Sequence, residues 1–495
     1  MDETQPLLAD VNRSPLQHGN TEQRLVDFNP DGDAENPMDW SRKYKLGIVA
    51  LLSFMAFTVS FTCIGVVPVA DKIVFDLSGS ESKSDSILLV TVWELGEAAG
   101  PLLMAPLSEI YGRSPVFNGA NIIFIFGVTL GALSSSTNLF IFSRFLTGLA
   151  VASNVLNPAI IGDIYAPEQR GSGMSLVMLA PLVGGTIGPA VGGAMAETLG
   201  WRNILWMCAG CALLCEILFC TLLRETYKVT ILQRRAVRLR KETKDETLKC
   251  AFDSQNGSKE LWWPVLRAAI LRPVLVMGDS SVLQIMSFYA GFSFTFYYIM
   301  ATTLPGILRE IYAFSPAATG SAFICFSVGA TCSIIVCNLL LDRMYTALSE
   351  RFSLPRHPEF RLPLLIMAAA IFPLVTFLYG WVPSMHWPVW LLLLQVGFLG
   401  FILIIMSAPV SSYIVDSFGL YSASAMTMVL LTRCTMGTLL PLTIPPLTDA
   451  LGLGGAFAFL AALCTLMIPL PILVMRYGGK WRERSVYTKA ASEDS

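Results

Sequence analysis

Charge is what this sequence has least of. Of its 495 residues only 14% are Asp, Glu, Lys or Arg, against about 25% in an ordinary soluble chain. No tract of bases stands clear of acids, so a nucleic-acid surface has no support, and the formal net charge of −2 points to no charged macromolecular partner. Histidine is almost missing. His18, His357 and His386 are the only ones and none lies inside an apolar run, so no metal centre and no cofactor is expected. A polytopic membrane enzyme, which would need a His/Asp or Ser/His cluster near an interface, is disfavoured for the same reason. Eleven cysteines look like a disulfide count, but most lie in apolar stretches, as Cys208, Cys211, Cys215 and Cys220 do, and there a thiol behaves as a small buried hydrophobe. Residues 1–45 lack the apolar core of a signal peptide and are polar throughout, which predicts an uncleaved, disordered cytosolic tail.

Apolar runs long enough to cross a bilayer as helices, about 20 residues each, recur along the whole length. Twelve are read, six near 46–68, 86–107, 116–135, 139–161, 174–196 and 203–223, and six near 278–300, 317–341, 362–381, 387–410, 422–446 and 453–475. Between the sets lies the one long hydrophilic interior segment, 224–272, with the mixed-charge stretch "QRRAVRLRKETKDETLK". Six spans, a solvated linker and six more suggest two bundles related by an internal repeat. The expected divisions are a tail (1–45), an N-terminal bundle (46–223), the linker (224–272), a C-terminal bundle (273–478) and a cytosolic C-terminal tail (479–495). Bases set the orientation. Arg42, Lys43, Lys45, Arg113, Arg170, the linker, Arg343, Arg351, Arg356, Arg361, Arg476, Lys480, Arg482 and Arg484 fall on one side, and only Lys72, Lys83, Arg202 and Arg309 on the other. By the positive-inside rule both termini and the linker are cytosolic.

Within this apolar setting the stretch "WELGEAAGPLLMAPLSEIYGR", 93–113, is unusual. On a helix Glu94, Glu97 and Pro101 share one face while Gly96 and Gly100 occupy the other. The glycine face suits close helix packing. An ionised acid at mid-bilayer costs several kcal/mol, so the glutamates must face protein or a cavity; they mark either a proton or cation path or a pair of structural acids bonded to neighbouring helices. In the following turn Gly112 permits a tight reversal, Glu109 is placed to meet a helix N-terminus, and Arg113 can reach an acid. Span four carries Arg144, Gly148, Asn154, Asn157 and Asp163. Arg144 requires an acidic or carbonyl partner unless it snorkels to the interface. "GGTIGPAVGG", 184–193, reads as a kinked, closely packed helix. Span seven is rich in aromatic residues, of which a subset could line a cavity for a planar or amphipathic ligand while the others pack. Span eleven carries a third membrane charge of this kind, Arg433.

Together these motifs resemble the major facilitator superfamily. "APLSEIYGR" looks like its loop between spans two and three, "RFLTGLA" like its span-four motif, and "GGTIGPAVGG" with "WRNILW" like the antiporter motif of span five, here Gly184, Gly188, Pro189, Gly192 and Gly193. "DFNPDGDAENPMDWSRKYK", "LREIYAFSPAATG" and "HPEFRLP" resemble segments of fungal twelve-span drug:proton antiporters, and the resemblance runs over about 27–478. Ala105 replaces the usual glycine of the loop motif, and Glu109 and Ile110 stand where Asp-Arg is common. Span one has no acid of the kind some bacterial relatives use for protons, a role Glu94 or Glu97 could take.

The resemblance implies an all-α membrane protein of the major facilitator fold and a monomeric secondary transporter, not an enzyme. It would export an organic small molecule, a drug, toxin or secondary metabolite, in exchange for protons. A dedicated metabolite carrier (organic acid or polyamine) and a proton symporter are the alternatives, and Arg144 and Arg433 keep an anionic substrate open. Glu94 and Glu97 are expected to bind the proton with Arg144 as their partner, and Glu109, Gly112, Arg113 and Asp163 to form a cytosolic gate. Gln284, Tyr289, Phe292, Tyr297 and Arg433 are expected to line the substrate cavity. The plasma membrane is the expected location, with the vacuole or endosome as the alternative, because "ETQPLL" at Glu3–Leu8 fits an acidic dileucine signal.

Overall fold

In a computed structural model the described residues are 25–29, 32–166, 169–244, 248–250, 262–352 and 357–488. They form an almost entirely helical, multi-pass membrane protein. The N-terminal bundle holds α1 (Arg42–Ile64), α2 (Ala70–Ser78), α3 (Lys83–Tyr111), α4 (Arg113–Ala132), α5 (Thr137–Leu149), α6 (Ser153–Ile164), α7 (Arg170–Thr198) and α8 (Trp201–Leu222). After it come α9 (Lys228–Thr243) and α10 (Trp262–Asp279). The C-terminal bundle holds α11 (Ser281–Glu310), α12 (Pro316–Phe352), α13 (Leu362–Ser384), α14 (Val389–Phe418), α15 (Ser422–Leu439), α16 (Ile444–Met467) and α17 (Pro469–Arg482). Serine side chains cap the starts of α1, α3, α5 and α11 by accepting a backbone N–H three residues on, which supplies partners the first helical turn cannot make itself.

Among the described residues ten segments are long and apolar enough to cross a membrane. The difference from twelve lies in two places. The fourth expected span is not one helix. α5 closes at Ala150, with the Val151 N–H turning back to the Gly148 carbonyl, and α6 restarts at Ser153. The last segment, Ser422–Arg482, has 61 residues, about 90 Å if straight against a hydrocarbon core of about 30 Å. Non-helical backbone at Gly452 (φ 70°) interrupts it, one residue before the expected start of span twelve.

The two halves use the same pairings. In the first, α1 packs on α7, α3 on α5, and α4 on α8; in the second, α11 packs on α15, α12 on α14, and α13 on α16. Numbered as spans, these are one with five, two with four and three with six in each half. The seam between the bundles follows the same rule, α7 on α12 and α3 on α15, which are spans five with eight and two with eleven. Small residues let these helices touch. A Cβ built at Gly96 would lie 2.3 Å from the Phe145 carbonyl oxygen, and one at Gly148 would lie 2.2 Å from that of Trp93.

One expectation is corrected. The described part of the tail is packed. Leu25–Val26 (β1) pairs in parallel with Lys249–Cys250 (β2). Val26 and Cys250 join Leu232 and Ala236 of α9 in a small apolar core of their own. Asp27 pairs with Lys228 at 3.5 Å, Glu35 with Arg238 at 2.9 Å, and Asp33 with Arg235. Acids in the tail answer bases in the linker, so neither segment is simply solvated. The sorting-signal stretch Glu3–Leu8 lies outside the described residues.

Candidate functional site

Glu94 and Glu97 lie on α3 where it meets α11 and α15. Glu94 is only 2% exposed. Its Oε1 accepts a hydrogen bond of 2.6 Å from the Tyr298 hydroxyl of α11, and its Oε2 is buried without a bond. One turn on, the Glu97 carboxylate stands 3.9 Å from the Arg433 guanidinium of α15. That guanidinium lies over the Phe294 ring at 4.2 Å, and its Nε is buried and unbonded. One turn in the other direction, Thr91 and Thr438 exchange bonds. Each hydroxyl donates to the other's carbonyl, at 3.3 Å and 3.0 Å. All three contacts cross from one bundle to the other.

Arg144 is not the glutamates' partner. It is 2% exposed and donates to the carbonyls of Thr62 at 2.9 Å, Cys63 at 2.6 Å and Leu89 at 3.4 Å, with Trp93 stacked 4.6 Å from it. The first two carbonyls end α1, the electronegative end of a helix, where a buried cation is best placed. All these partners belong to its own bundle. The arginine opposite the acids is Arg433, which sequence reasoning had placed in the cavity.

At the end of the molecule where α3, α6 and α8 finish, Gly112 (φ 102°) makes the turn into α4. The carboxylate at the N-terminus of α4 is Glu225's, not Glu109's. Its Oε1 accepts from the N–H groups of Arg113 at 2.8 Å, Thr226 at 3.1 Å and Tyr227 at 3.0 Å. A Cβ at position 112 would lie 2.2 Å from its Oε2, so the positive φ calls for glycine and any side chain there would also displace this carboxylate. Glu109 is exposed. Arg113 reaches Asp163 at 3.5 Å and Ser108, and stacks on Tyr227 at 4.7 Å. Burial pushes the Asp163 carboxyl up to about 6, against the opposing pull of Arg113. The second half repeats the device, with Arg361 at the start of α13 bonded to Asp416 at the end of α14 and to Asp342 at 3.1 Å.

The glycine motif of α7 forms two interfaces. A Cβ at Gly184 would meet the Phe57 carbonyl oxygen at 2.5 Å, one at Gly188 that of Phe61 at 3.1 Å, and one at Gly192 that of Gly65 at 1.9 Å, all against α1 or its end. Gly193 and Pro189 face α12 across the seam. A Cβ at Gly193 would lie 2.2 Å from the Pro316 carbonyl oxygen, and one at Gly320 would lie 1.9 Å from that of Pro189. The aromatic residues of α11 divide between two faces. Tyr297 joins Phe294, Tyr298 and Phe326 (5.0 Å) in one group, of which Phe294 lies against Arg433. Tyr289 and Phe292 turn into the apolar core of the second bundle. Gln284 is exposed and donates to the Met277 carbonyl at 2.9 Å, tying α11 to the end of α10 instead of facing a cavity. Asn157 is buried, and the side chain of Asn154 lies outside the described residues. Glu225, Thr91 and Thr438 were not singled out in the sequence, and Tyr298 was read only as one of the aromatic residues of span seven. Each acts through a partner more than 100 positions away, so no local pattern announces it. No group of metal-ligating side chains occurs among the described residues.

This arrangement of two like bundles has known counterparts. The profile of the Major Facilitator Superfamily matches residues 46–441. The chain is 33% identical to the efflux pump radE of Floropilus chiversii over 462 residues, 92% of this chain and 85% of that protein. To the MFS transporter cpaT of Aspergillus oryzae it is 32% identical over 456 residues, 92% of this chain and 91% of that one. A crystal structure of a D-xylose–proton symporter superposes with a TM-score of 0.65 at 15% identity, covering 90% of this chain and 99% of the symporter. The chain belongs to the major facilitator superfamily and is a secondary transporter, not an enzyme.

Proposed function

We propose that this transporter exports an organic, hydrophobic or amphipathic small molecule in exchange for protons. The observation that carries the reading is the seam. Glu94 is held by Tyr298 and Glu97 faces Arg433, and both contacts join one bundle to the other. An obligate exchanger must not change state when empty. With both carboxylates ionised, these contacts hold the bundles together in the observed arrangement. A proton neutralises the charge the seam relies on; a substrate with a donor or cationic group offers the acids a different partner. Either ligand releases the same lock, one in each half of the cycle, while the bundles rock about the central site. The likeness to relatives named as an efflux pump and a transporter and the α7 glycine motif favour export.

In this reading the tail, linker and C-terminus are cytosolic, by the bias of Lys and Arg, and the monomeric protein lies in the plasma membrane. The opposite end then faces outward. There Arg309 bonds to Asp71 at 3.0 Å, and Glu197 accepts from the Ala317 N–H at 3.3 Å, and in this reading these contacts hold the outward ends of the bundles together. The Arg113–Asp163 and Arg361–Asp416 clusters guard the cytosolic end. The test is transport in proteoliposomes with E94Q, E97Q and both together. The coupling glutamate, once amidated, should lose transport driven by a pH gradient and keep substrate-for-substrate exchange. Undiminished pH dependence in all three variants would place the proton site elsewhere.

A further inference from the structure

We infer that the cleft between the N-terminal tail and α9 is a binding site for a phosphate-bearing anion, distinct from the transport path. The cleft is about 330 Å³ in volume and is walled by Arg224, Arg234 and Arg238, with Trp40, Ala34 and Ile231 as its apolar lining. Residues 224–244 carry eight Lys or Arg against Glu225 and Glu242. The tail accounts for three of those bases, pairing Lys228, Arg235 and Arg238 with Asp27, Asp33 and Glu35. Among the described residues it leaves the cleft's other two guanidinium groups without an acid. Among the described residues, Arg224 lies only over the Tyr44 ring at 5.6 Å, and Arg234 makes only a 3.3 Å bond to the Tyr111 carbonyl. Guanidinium groups that converge on a concave surface without carboxylate partners suit the oxygens of a phosphate.

The two acids in the wall do not oppose this. Glu35 is engaged by Arg238, and Glu225 has Oε1 on three N–H groups and Oε2 buried. The depth is also right. The Tyr44 hydroxyl donates to the Leu222 carbonyl, which fixes the cleft where spans one and six leave their apolar runs, the level of lipid head groups. Because Glu225 also holds the turn at Gly112 and Arg113, an occupant of the cleft would sit one residue from the gate.

The ligand is a phosphate ester, supplied by an anionic phospholipid head group or by a soluble one. The probes are vesicles of phosphatidylcholine with and without phosphatidylinositol 4-phosphate, and soluble inositol trisphosphate added to the full chain in detergent. Bound ligand is counted by native mass spectrometry. Wild type should retain the phosphoinositide over phosphatidylcholine, and R224Q/R234Q should weaken it roughly tenfold or more, as expected for losing two charge-assisted contacts. That double variant leaves the three tail–linker ion pairs in place, so an unchanged melting temperature without ligand certifies its fold; K72Q is the control for a base elsewhere. Capture from vesicles alone assigns the site to lipid, and equal capture of the soluble ester assigns it to a metabolite. Equal binding by wild type and R224Q/R234Q, or no retention of either probe, overturns the inference, whether or not proton-driven transport is observed.

Discussion

Replacing Tyr298 with Phe removes one hydroxyl and nothing else, and it should unlock the outward-facing seam. The bond it loses, 2.6 Å to a carboxylate that is 2% exposed, is of the charge-assisted kind, worth about 1.5–3 kcal/mol. It spans α11 and α3, so it contributes only while the bundles are in contact. Losing it should therefore shift the equilibrium between the observed state and its opposite by about 10- to 150-fold, taking 1.4 kcal/mol for each factor of ten. The reporter is a cysteine at Ser86, buried in the cavity of about 300 Å³ between the bundles at the outward end. The exposed native thiols Cys220 and Cys332 are first changed to serine. Labelling by a membrane-impermeant maleimide should accelerate in Y298F by a factor in that range. E94Q keeps an oxygen that can accept from Tyr298 but loses the charge, so it should fall between wild type and Y298F. If Y298F labels at the wild-type rate while E94Q accelerates, charge alone sets the seam and the hydrogen bond is incidental. Wild-type rates in both would refute the claim that this contact holds the state.

Three further outcomes are expected. Gly192→Ala places a Cβ 1.9 Å from the Gly65 carbonyl oxygen, whereas Gly185→Ala, in the same motif, meets nothing within 4 Å. The first should lose about 1–3 kcal/mol or more to overpacking and run as an aggregate on size exclusion, and the second should match wild type. For Asp163 the sign is that of a raised carboxyl. Its folded value of about 6 lies above the ordinary 3.8, so its contribution to stability falls as pH rises through that window, by at most about 3 kcal/mol, and is level above it. D163N should gain on wild type in melting temperature across that window and hold a constant margin above it; a margin independent of pH would contradict the burial argument. Finally, the only Asn-X-Ser/Thr sequons are at Asn12 and Asn256, both in segments that the proposed topology puts in the cytosol, so a glycosidase-sensitive shift at either would invert that topology.

The spans, the repeat and the glycine face of α3 could be read in the sequence, because a bilayer forces long apolar runs and close packing forces small residues to recur at helical spacing. The acids at 94 and 97 were legible for the same reason, since so few charges occur in the spans. Their partners were not. Arg144 and Arg433 look alike as lone arginines in apolar helices, and only the fold decides that one meets three carbonyls and the other a carboxylate. Backbone carbonyls leave no mark on a sequence. The break between α5 and α6 falls in "LAVAS", which contains neither proline nor glycine, so the apolar run read as continuous. The tail was misread because its acids find their bases about 200 positions away.

The contrast between Arg144 and Arg433 bears on mechanism. Among the described residues every hydrogen-bond partner of Arg144 lies within the first bundle, so a rigid-body motion of one bundle against the other carries arginine and carbonyls together and changes nothing between them. It holds α1, α3 and α5 in register through those bonds. Glu94 and Glu97 have their partners on the other bundle, and any such motion must stretch those contacts. The clusters at Arg113 and Arg361 occur in both halves, each within its own bundle, and so move with it as a unit. The central charges do not repeat: the first bundle supplies the acids, and the second supplies the phenol and the guanidinium. A symmetric scaffold provides two arrangements of similar energy. In the proposed cycle, placing the acids on one side of the seam and their partners on the other would give protonation a handle on the choice between them.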